Sequence, residues 1–79
     1  MKTTHTLDWD HIAPEGETIQ VRLYLNIAGG ETELVDVQLL DANGTPSAMP
    51  TPLRLDVIES FCDNRDLGFD FAGEAQEVK

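Results

Sequence analysis

The sequence has a single cysteine, few basic residues and no long apolar run, and each shortage excludes a class of protein. Because Cys62 has no second cysteine to pair with, an intramolecular disulfide and the secreted folds built on such bonds are excluded. No apolar run approaches the roughly 18 residues of a membrane-spanning helix. The sequence also opens without the charged-then-apolar leader of a secreted protein, so we expect a soluble protein of the cytoplasm.

Motifs for catalysis, for a cofactor and for a metal ion are also missing. Ser47 and Ser60 do not lie on the strained turn that presents a nucleophile to a base, and so short a chain has little room for a general acid's apolar cleft. Between His5 and His11 the sequence alternates histidines with aspartates, but a strand sends the two residue types to opposite faces and holds these histidines roughly 20 Å apart. We therefore predict no enzyme activity, no cofactor and no metal site, and we expect solvated histidines at the ends of a strand.

Acidic residues are what the sequence has in excess. Fifteen aspartates and glutamates stand against five lysines and arginines, which gives a formal net charge of −10 and a pI near 4.2. A hydrophobic fraction of 41% is enough for a folded core, so this is not the composition of a disordered acidic tail. Either the charge keeps a small protein soluble, or it forms a functional surface. A functional acidic surface would bind a basic groove built for nucleic acid, whereas nucleic acid itself would be repelled.

The clearest structural signal is the alternation from Ile19 to Ile27. Every odd position holds a large aliphatic residue, and every even position holds a polar side chain or a tyrosine. Successive side chains of a strand point to opposite faces, so the pattern predicts a half-buried central strand. Its outward set is Gln20, Arg22, Tyr24 and Asn26.

Two other segments predict strands at the edges of a sheet. The segment from Thr3 to Ile12 predicts an edge strand with Leu7 and Trp9 facing the core. Later in the chain, Asn43-Gly44 is a strong hairpin signal. The segment from Thr45 to Pro52 that follows carries three prolines, so any strand there is short or at an edge.

A third strand is predicted directly after the central one. The Gly29-Gly30 pair indicates a hairpin, since glycine reaches positive φ without a steric penalty. The strand then runs from about Thr32 to Leu40, although the apolar pattern is blurred by residues 34 and 40. Its inward set is Val35, Val37 and Leu39.

Residues 53–55 either finish the fourth strand or begin a helix, and the favoured prediction is one helix that begins just after Asp56. Asp56 and Glu59 have the spacing of a capping box, with aspartate in place of the usual serine or threonine. The apolar residues that follow recur with helical spacing, and Gly68 is placed to end the helix as a C-terminal cap. Segment 69–71 either adds a short strand or fixes the tail to the core, and we expect 72–79 to be frayed.

Together these elements predict one domain, residues 1–79, of the α+β class. The sheet has three or four mostly antiparallel strands, and the helix packs on its aliphatic face. The predicted contacts join Val57, Ile58 and Phe61 of the helix to four inward residues of the sheet, Leu23, Leu25, Val35 and Val37.

A row of acids accompanies the predicted helix. Seven carboxylates follow one another at steps of three or four residues, which on a continuous helix would place them along one ridge, about 5 Å apart in axial rise. The seven are Asp56, Glu59, Asp63, Asp66, Asp70, Glu74 and Glu77. This spacing is not far from that of the charges on a nucleic-acid backbone, so a groove lined with arginine and lysine could accept it. The candidate partner-binding residues are Asp56, Glu59, Asp63, Asp66 and Asp70 of the ridge, with Glu31, Glu33 and Asp36 of the third strand.

A solvated helix face explains the same acids equally simply. The glycines at positions 68 and 73 also argue against a helix that continues beyond Asp66, since each costs about 1 kcal/mol inside a helix. The ridge is therefore expected to be helical only as far as Asp66.

In overall character the chain resembles the small anti-CRISPR proteins of phages and prophages, which are short, acidic single domains of a few strands and one helix. The resemblance is strongest to inhibitors of type I-C systems, and it covers the whole chain rather than a motif, so no site residue is carried over. It implies an inhibitor that binds the multisubunit surveillance complex, Cascade, and blocks recruitment of target DNA, in acidic members by imitating DNA.

Two other functions fit the same sequence. A small virion or assembly protein would self-associate through a sheet edge or through the polar face around Tyr24. An immunity or antitoxin-like partner of a basic toxin would use the same acids as the inhibitor. For the inhibitor we expect a monomer in the cytoplasm of the host bacterium, with a basic protein surface as its partner and without direct contact with nucleic acid or membrane.

Overall fold

Three long antiparallel strands form the centre of the fold: β1 (Thr3–Ile12), β2 (Thr18–Ala28) and β3 (Glu31–Leu40). The structure is a computed structural model that describes residues 3–29 and 31–78. Two short strands extend the sheet at its edges, with β4 (Pro46–Ser47) beside β3 and β5 (Gln76–Glu77) beside β1. The strand order is β4-β3-β2-β1-β5, all antiparallel. The α+β class is confirmed, and the sheet has five strands rather than three or four.

The centre of the sheet is β2, as its alternation predicts. Val21, Leu23 and Leu25 are fully buried, while Arg22 and Tyr24 lie on the opposite, partly exposed face. The predicted hairpin between β2 and β3 is also present, because Ala28 pairs with Glu31 across it and Gly29 has a φ of +58°. The second residue of the predicted turn, Gly30, lies outside the described residues.

A β-bulge in β3 explains why its apolar pattern is blurred. Tyr24 pairs with Asp36 and Leu25 pairs with Leu34, so Val35 is an extra residue without a partner on β2. One extra residue reverses the side-chain alternation, which turns Leu34 towards the core. The prediction that Val35 faces inward is therefore wrong: its side chain is 52% exposed.

The long helix α1 (Thr51–Asp66) begins six residues before the predicted position. Pro50 is the N-cap and Pro52 lies in the first turn, where a proline removes no helical hydrogen bond. Asp56 is consequently in the helix interior, and the predicted capping box is wrong. The predicted end is confirmed by Gly68, whose φ is +91°.

The end of α1 is a Schellman motif. The Gly68 N–H donates to the Arg65 carbonyl at 3.0 Å, and the Phe69 N–H donates to the Asn64 carbonyl, also at 3.0 Å. These two bonds satisfy carbonyls that the helix would otherwise leave without partners. The turn also sends the chain back across the sheet.

The tail after Gly68 is ordered by three devices, so the expectation that it is frayed is wrong for the described residues. The Asp70 carboxylate accepts the Gly73 N–H at 2.9 Å and caps the one-turn helix α2 (Phe71–Glu74). Phe71 is buried and fixes the tail to the core, which was one of the two alternatives for this segment. Strand β5 then pairs with β1, and the Val78 N–H donates to the Thr4 carbonyl at 3.0 Å.

The core lies between the inner face of the sheet and the two helices. Val57 and Phe61 of α1 pack with the inward residues of β2 and β3, as predicted, whereas Ile58 is only half-buried beside that core. Phe71 stacks on Phe61, Phe69 and Trp9 with ring centroids 4.4, 4.6 and 5.6 Å away. Aromatic pairs at these distances contribute about 0.5–1.5 kcal/mol each beyond the area they bury. The aromatic cluster therefore joins the tail, α1 and β1 into one core.

Candidate functional site

The acids of this protein fall into two groups according to burial. Thirteen of the fifteen are exposed, and only Asp36 and Asp56 are half-buried. Each of these two binds a cationic or potentially cationic side chain on another element, Arg54 and His11 respectively. Two acids that the sequence assigned to a partner-binding surface therefore hold α1 against the sheet.

His11 is buried rather than solvated, so that expectation is wrong. It faces the core near the end of β1 with 3% of its surface exposed, and its Nε2 lies 2.6 Å from Asp56 Oδ2. Its Nδ1 is buried and has no hydrogen-bond partner in the described structure. The bond to Asp56 is thus the polar contact that compensates the burial of the ring, and it orients Asp56 towards the sheet.

Asp36 is held at the bulge of β3 by contacts from two sides. Its Oδ1 accepts a bond from Arg54 Nη1 of α1, and it also accepts the Val37 N–H at 2.8 Å. The Arg54 hydrogen bond lowers the pKa of Asp36, and the Val37 N–H acts in the same direction against the opposing effect of burial. Arg54 Nη1 also donates to the Val37 carbonyl at 3.4 Å.

The outer side of α1 carries three exposed acids, Glu59, Asp63 and Asp66, which we call the outer acid row. Steps of four and three residues separate these acids by about 6 and 4.5 Å of axial rise. The prediction that the ridge is helical as far as Asp66 is confirmed, but its first member, Asp56, is half-buried and bonded to His11. What remains is a compact group of three negative charges on one helix.

The other predicted partner-binding acids lie elsewhere. Asp70 caps α2, and Glu31 and Glu33 are exposed on the first half of β3. Glu74 and Glu77 of the original ridge lie on α2 and β5. The seven carboxylates therefore do not form one continuous helical face, because the chain turns at Gly68.

The three described arginines all make contacts away from the outer acid row. Arg22 binds Asp8 at 2.8 Å on the outer face of the sheet, and Arg54 binds Asp36. The guanidinium of Arg65 lies 5.8 Å from the centre of the Phe61 ring. Lys2 and Lys79 lie outside the described residues.

A groove between β3 and α1 is a feature that sequence reasoning missed. Its volume is about 460 Å³, and its apolar lining includes Leu34, Ile58 and Cys62. A second helical stripe could have indicated it, since residues 54, 58, 62 and 65 recur at four, four and three. That stripe lies beside the core stripe of Val57 and Phe61.

The described residues contain neither a metal-binding cluster nor a membrane-spanning helix. They contain no group of three or more histidine, cysteine, aspartate and glutamate side chains that could hold a metal ion. In the same part of the chain, no helix combines the length and apolar composition needed to cross a membrane. Comparison of the chain with protein-family models, with curated proteins and with solved structures finds no match.

Proposed function

We propose that this protein is an inhibitor of a type I CRISPR surveillance complex, in which the outer acid row binds a basic surface that otherwise holds target DNA. The observation that carries the proposal is the exposure of Glu59, Asp63 and Asp66 on one side of a helix whose other side is fixed to the core. The choice of a type I-C complex as the first target rests on the resemblance of the whole chain to that class of inhibitors.

Electrostatics favours a basic partner for this surface. A protein with a net charge of −10 attracts a cationic groove over about a Debye length, roughly 10 Å at 0.1 M salt. The row sits on a rigid element, so little conformational freedom is lost when its carboxylates are bound. Successive charges about 4.5–6 Å apart fall in the range that lysines and arginines lining a nucleic-acid groove can contact.

Two exposed leucines flank the row and supply apolar contact area. Leu55 lies one turn before Glu59 and is 61% exposed, and Leu67 follows Asp66 and is 85% exposed. Single exposed leucines are common on protein surfaces, but leucines beside a charged group give an interface an apolar component. Binding through this side of α1 would bury them.

The polar outer face of the sheet supports a rival assembly role less well. Tyr24 donates its hydroxyl hydrogen to Gln38 at 2.7 Å, and Arg22 is bound to Asp8. These side chains already form hydrogen bonds with side chains of neighbouring strands, so they have fewer free groups with which to bind a second molecule. The exposed carboxylates of the outer acid row are better placed to bind a basic groove.

The experiment is a binding assay with a purified type I-C surveillance complex. The test variant carries Glu59→Lys, Asp63→Lys and Asp66→Lys, which raises the formal net charge by six. The control variant carries Glu15→Lys, Glu17→Lys and Glu77→Lys, three exposed positions outside α1 that give the same net charge. We expect the test variant to bind at least about 100-fold more weakly, since several charge pairs at one interface are lost together, and the control to lose far less.

Two results would contradict the proposal. Equal losses in both variants would mean that only overall charge matters and that the row is a solvated face. Absence of binding by the unmodified protein would exclude the type I-C complex as its target.

A further inference from the structure

The groove beside α1 follows the main-chain edge of β3 rather than one face of the sheet. Seven consecutive residues of β3, 31–37, border it. Side chains of a strand alternate between faces, so a groove over one face would be bordered by every second residue. An unbroken run means that the edge of the strand itself forms the wall.

This edge is open over the first half of β3. Within the described residues, β4 pairs only with Leu39 and Leu40, and β2 occupies the other side of β3. The main chain at Val37 is already occupied, because its N–H donates to Asp36 and its carbonyl accepts from Arg54. The stretch 31–35 is therefore the part of the edge that another strand can extend, in line with β4.

The opposite wall is a stripe of α1 that suits an extended chain. Its apolar residues Ile58 and Cys62 are half-buried, and Leu34 lines the groove from β3. A strand laid along the edge would direct every second side chain towards this apolar lining. Val35, which the bulge leaves half-exposed at the edge, would be covered at the same time.

Charge decides which kind of strand fits. Glu31 and Glu33 are exposed acids on the first half of β3, while the two arginines of the groove are placed elsewhere: Arg54 is bound to Asp36, and Arg65 lies over the Phe61 ring. A second copy of this chain, paired edge to edge, would place these glutamates opposite or diagonal to one another, which is destabilising. A strand with lysine or arginine at alternate positions would instead place opposite charges across from them.

We infer that the open edge of β3 is a docking site for an extended basic segment of a partner protein, with apolar and basic residues in alternation. The segment binds by strand addition: main-chain hydrogen bonds hold it, Ile58 and Cys62 receive its apolar side chains, and Glu31 and Glu33 face its basic ones. This site is separate from the outer acid row and does not depend on the proposed function.

The test uses a blocked hexapeptide of alternating lysine and valine with the full-length protein labelled for amide NMR at about 0.15 M salt. The same peptide N-methylated at every residue keeps its charge and side chains but has no N–H to donate. We expect shift changes centred on 31–35 and on α1 around Ile58, and at least about tenfold weaker binding of the methylated peptide.

Two matched protein variants locate the site. Glu31→Lys and Glu59→Lys make the same charge change, but only Glu31 borders the groove. We expect Glu31→Lys to weaken peptide binding several-fold more than Glu59→Lys does. Ile58→Arg should fill the groove and abolish the shifts, and the exposed Glu31→Lys keeps the test valid if that variant does not fold.

Three outcomes would overturn the inference. Equal binding of the two peptides would show that charge alone attracts them. Equal effects of Glu31→Lys and Glu59→Lys on peptide binding would show that the overall charge of the protein, and not the groove, attracts the peptide. A dimer in the absence of peptide that Ile58→Arg dissociates would make a second copy of the chain the occupant.

Discussion

Asp56 and Glu59 lie three residues apart on α1, yet their surroundings are opposite. Asp56 is half-buried and bonded to a buried histidine, whereas Glu59 is exposed on the outer acid row. The same difference separates Asp36, bonded to Arg54, from the exposed Glu31 on its own strand. We therefore expect the two half-buried acids that bind a side chain on another element to contribute to stability, and the exposed acids of the outer acid row to contribute mainly surface charge.

The largest expected effect comes from the apolar contacts of the inner side. Phe61→Ala removes a buried ring that packs on Phe71 at 4.4 Å. We expect the free energy of unfolding to fall by about 3–5 kcal/mol. Urea denaturation followed by the fluorescence of Trp9, the only tryptophan, measures the change. Leu55→Ala, on the exposed side, is the control and should stay within about 0.5 kcal/mol.

A smaller loss is expected from the polar contact between Asp56 and His11. Asp56→Ala would leave His11 buried with neither ring nitrogen bonded, which costs about 1–3 kcal/mol. Asp56→Asn keeps a group that can form the bond and should lose less. Glu59→Ala is the matched control on the same helix, and a loss as large as that of Asp56→Ala would remove the distinction between the bonded acid and the exposed one.

The smallest effect is one of pH. The folded-state pKa of Asp36 is lowered, chiefly by Arg54, so its ionised form contributes stability that is complete above the unfolded value and is lost as pH falls through the folded value. Below about pH 4, stability should therefore decline less steeply in Asp36→Asn than in the unmodified protein. Because both partners are partly exposed, water screens the pair and the difference is modest. The pH dependence of urea midpoints measures it, with Glu59→Gln as the control.

The apolar periodicity of the sequence was sufficient to predict the regular strand and helix that carry it. The alternation from Ile19 to Ile27 predicts β2 and its buried face, and the apolar spacing of Val57 and Phe61 predicts the contact of α1 with the sheet. Gly68 predicts where α1 ends, because a left-handed residue after a helix is most often glycine.

The remaining features depend on contacts that have no local pattern. The bulge at Val35 interrupts the alternation that would place it. The prolines of residues 45–52 predicted a segment that is not helical. In the structure, however, Pro50 is the N-cap of α1 and Pro52 lies in its first turn. His11 is buried because α1, 45 residues away in sequence, supplies Asp56.

The same reasoning explains how much of the candidate site could be predicted. The spacing of Glu59, Asp63 and Asp66 is enough to place them on one side of a helix. That Asp56 is bonded to His11 rather than exposed beside them depends on a long-range contact, and the position of Asp70 depends on the turn at Gly68. The groove along β3 exists because, among the described residues, β4 pairs only with Leu39 and Leu40. The sequence does not indicate that β4 is limited to two residues.

The most direct test of the account is competition for the surveillance complex between this protein and target double-stranded DNA across a salt series. If the outer acid row occupies the DNA-binding surface, the two will bind in a mutually exclusive way, and the protein's affinity will fall steeply as salt increases. The triple variant of Glu59, Asp63 and Asp66 should lose both the competition and most of the salt dependence, while unfolding in urea as the unmodified protein does. Simultaneous binding of protein and DNA to one complex would contradict DNA mimicry.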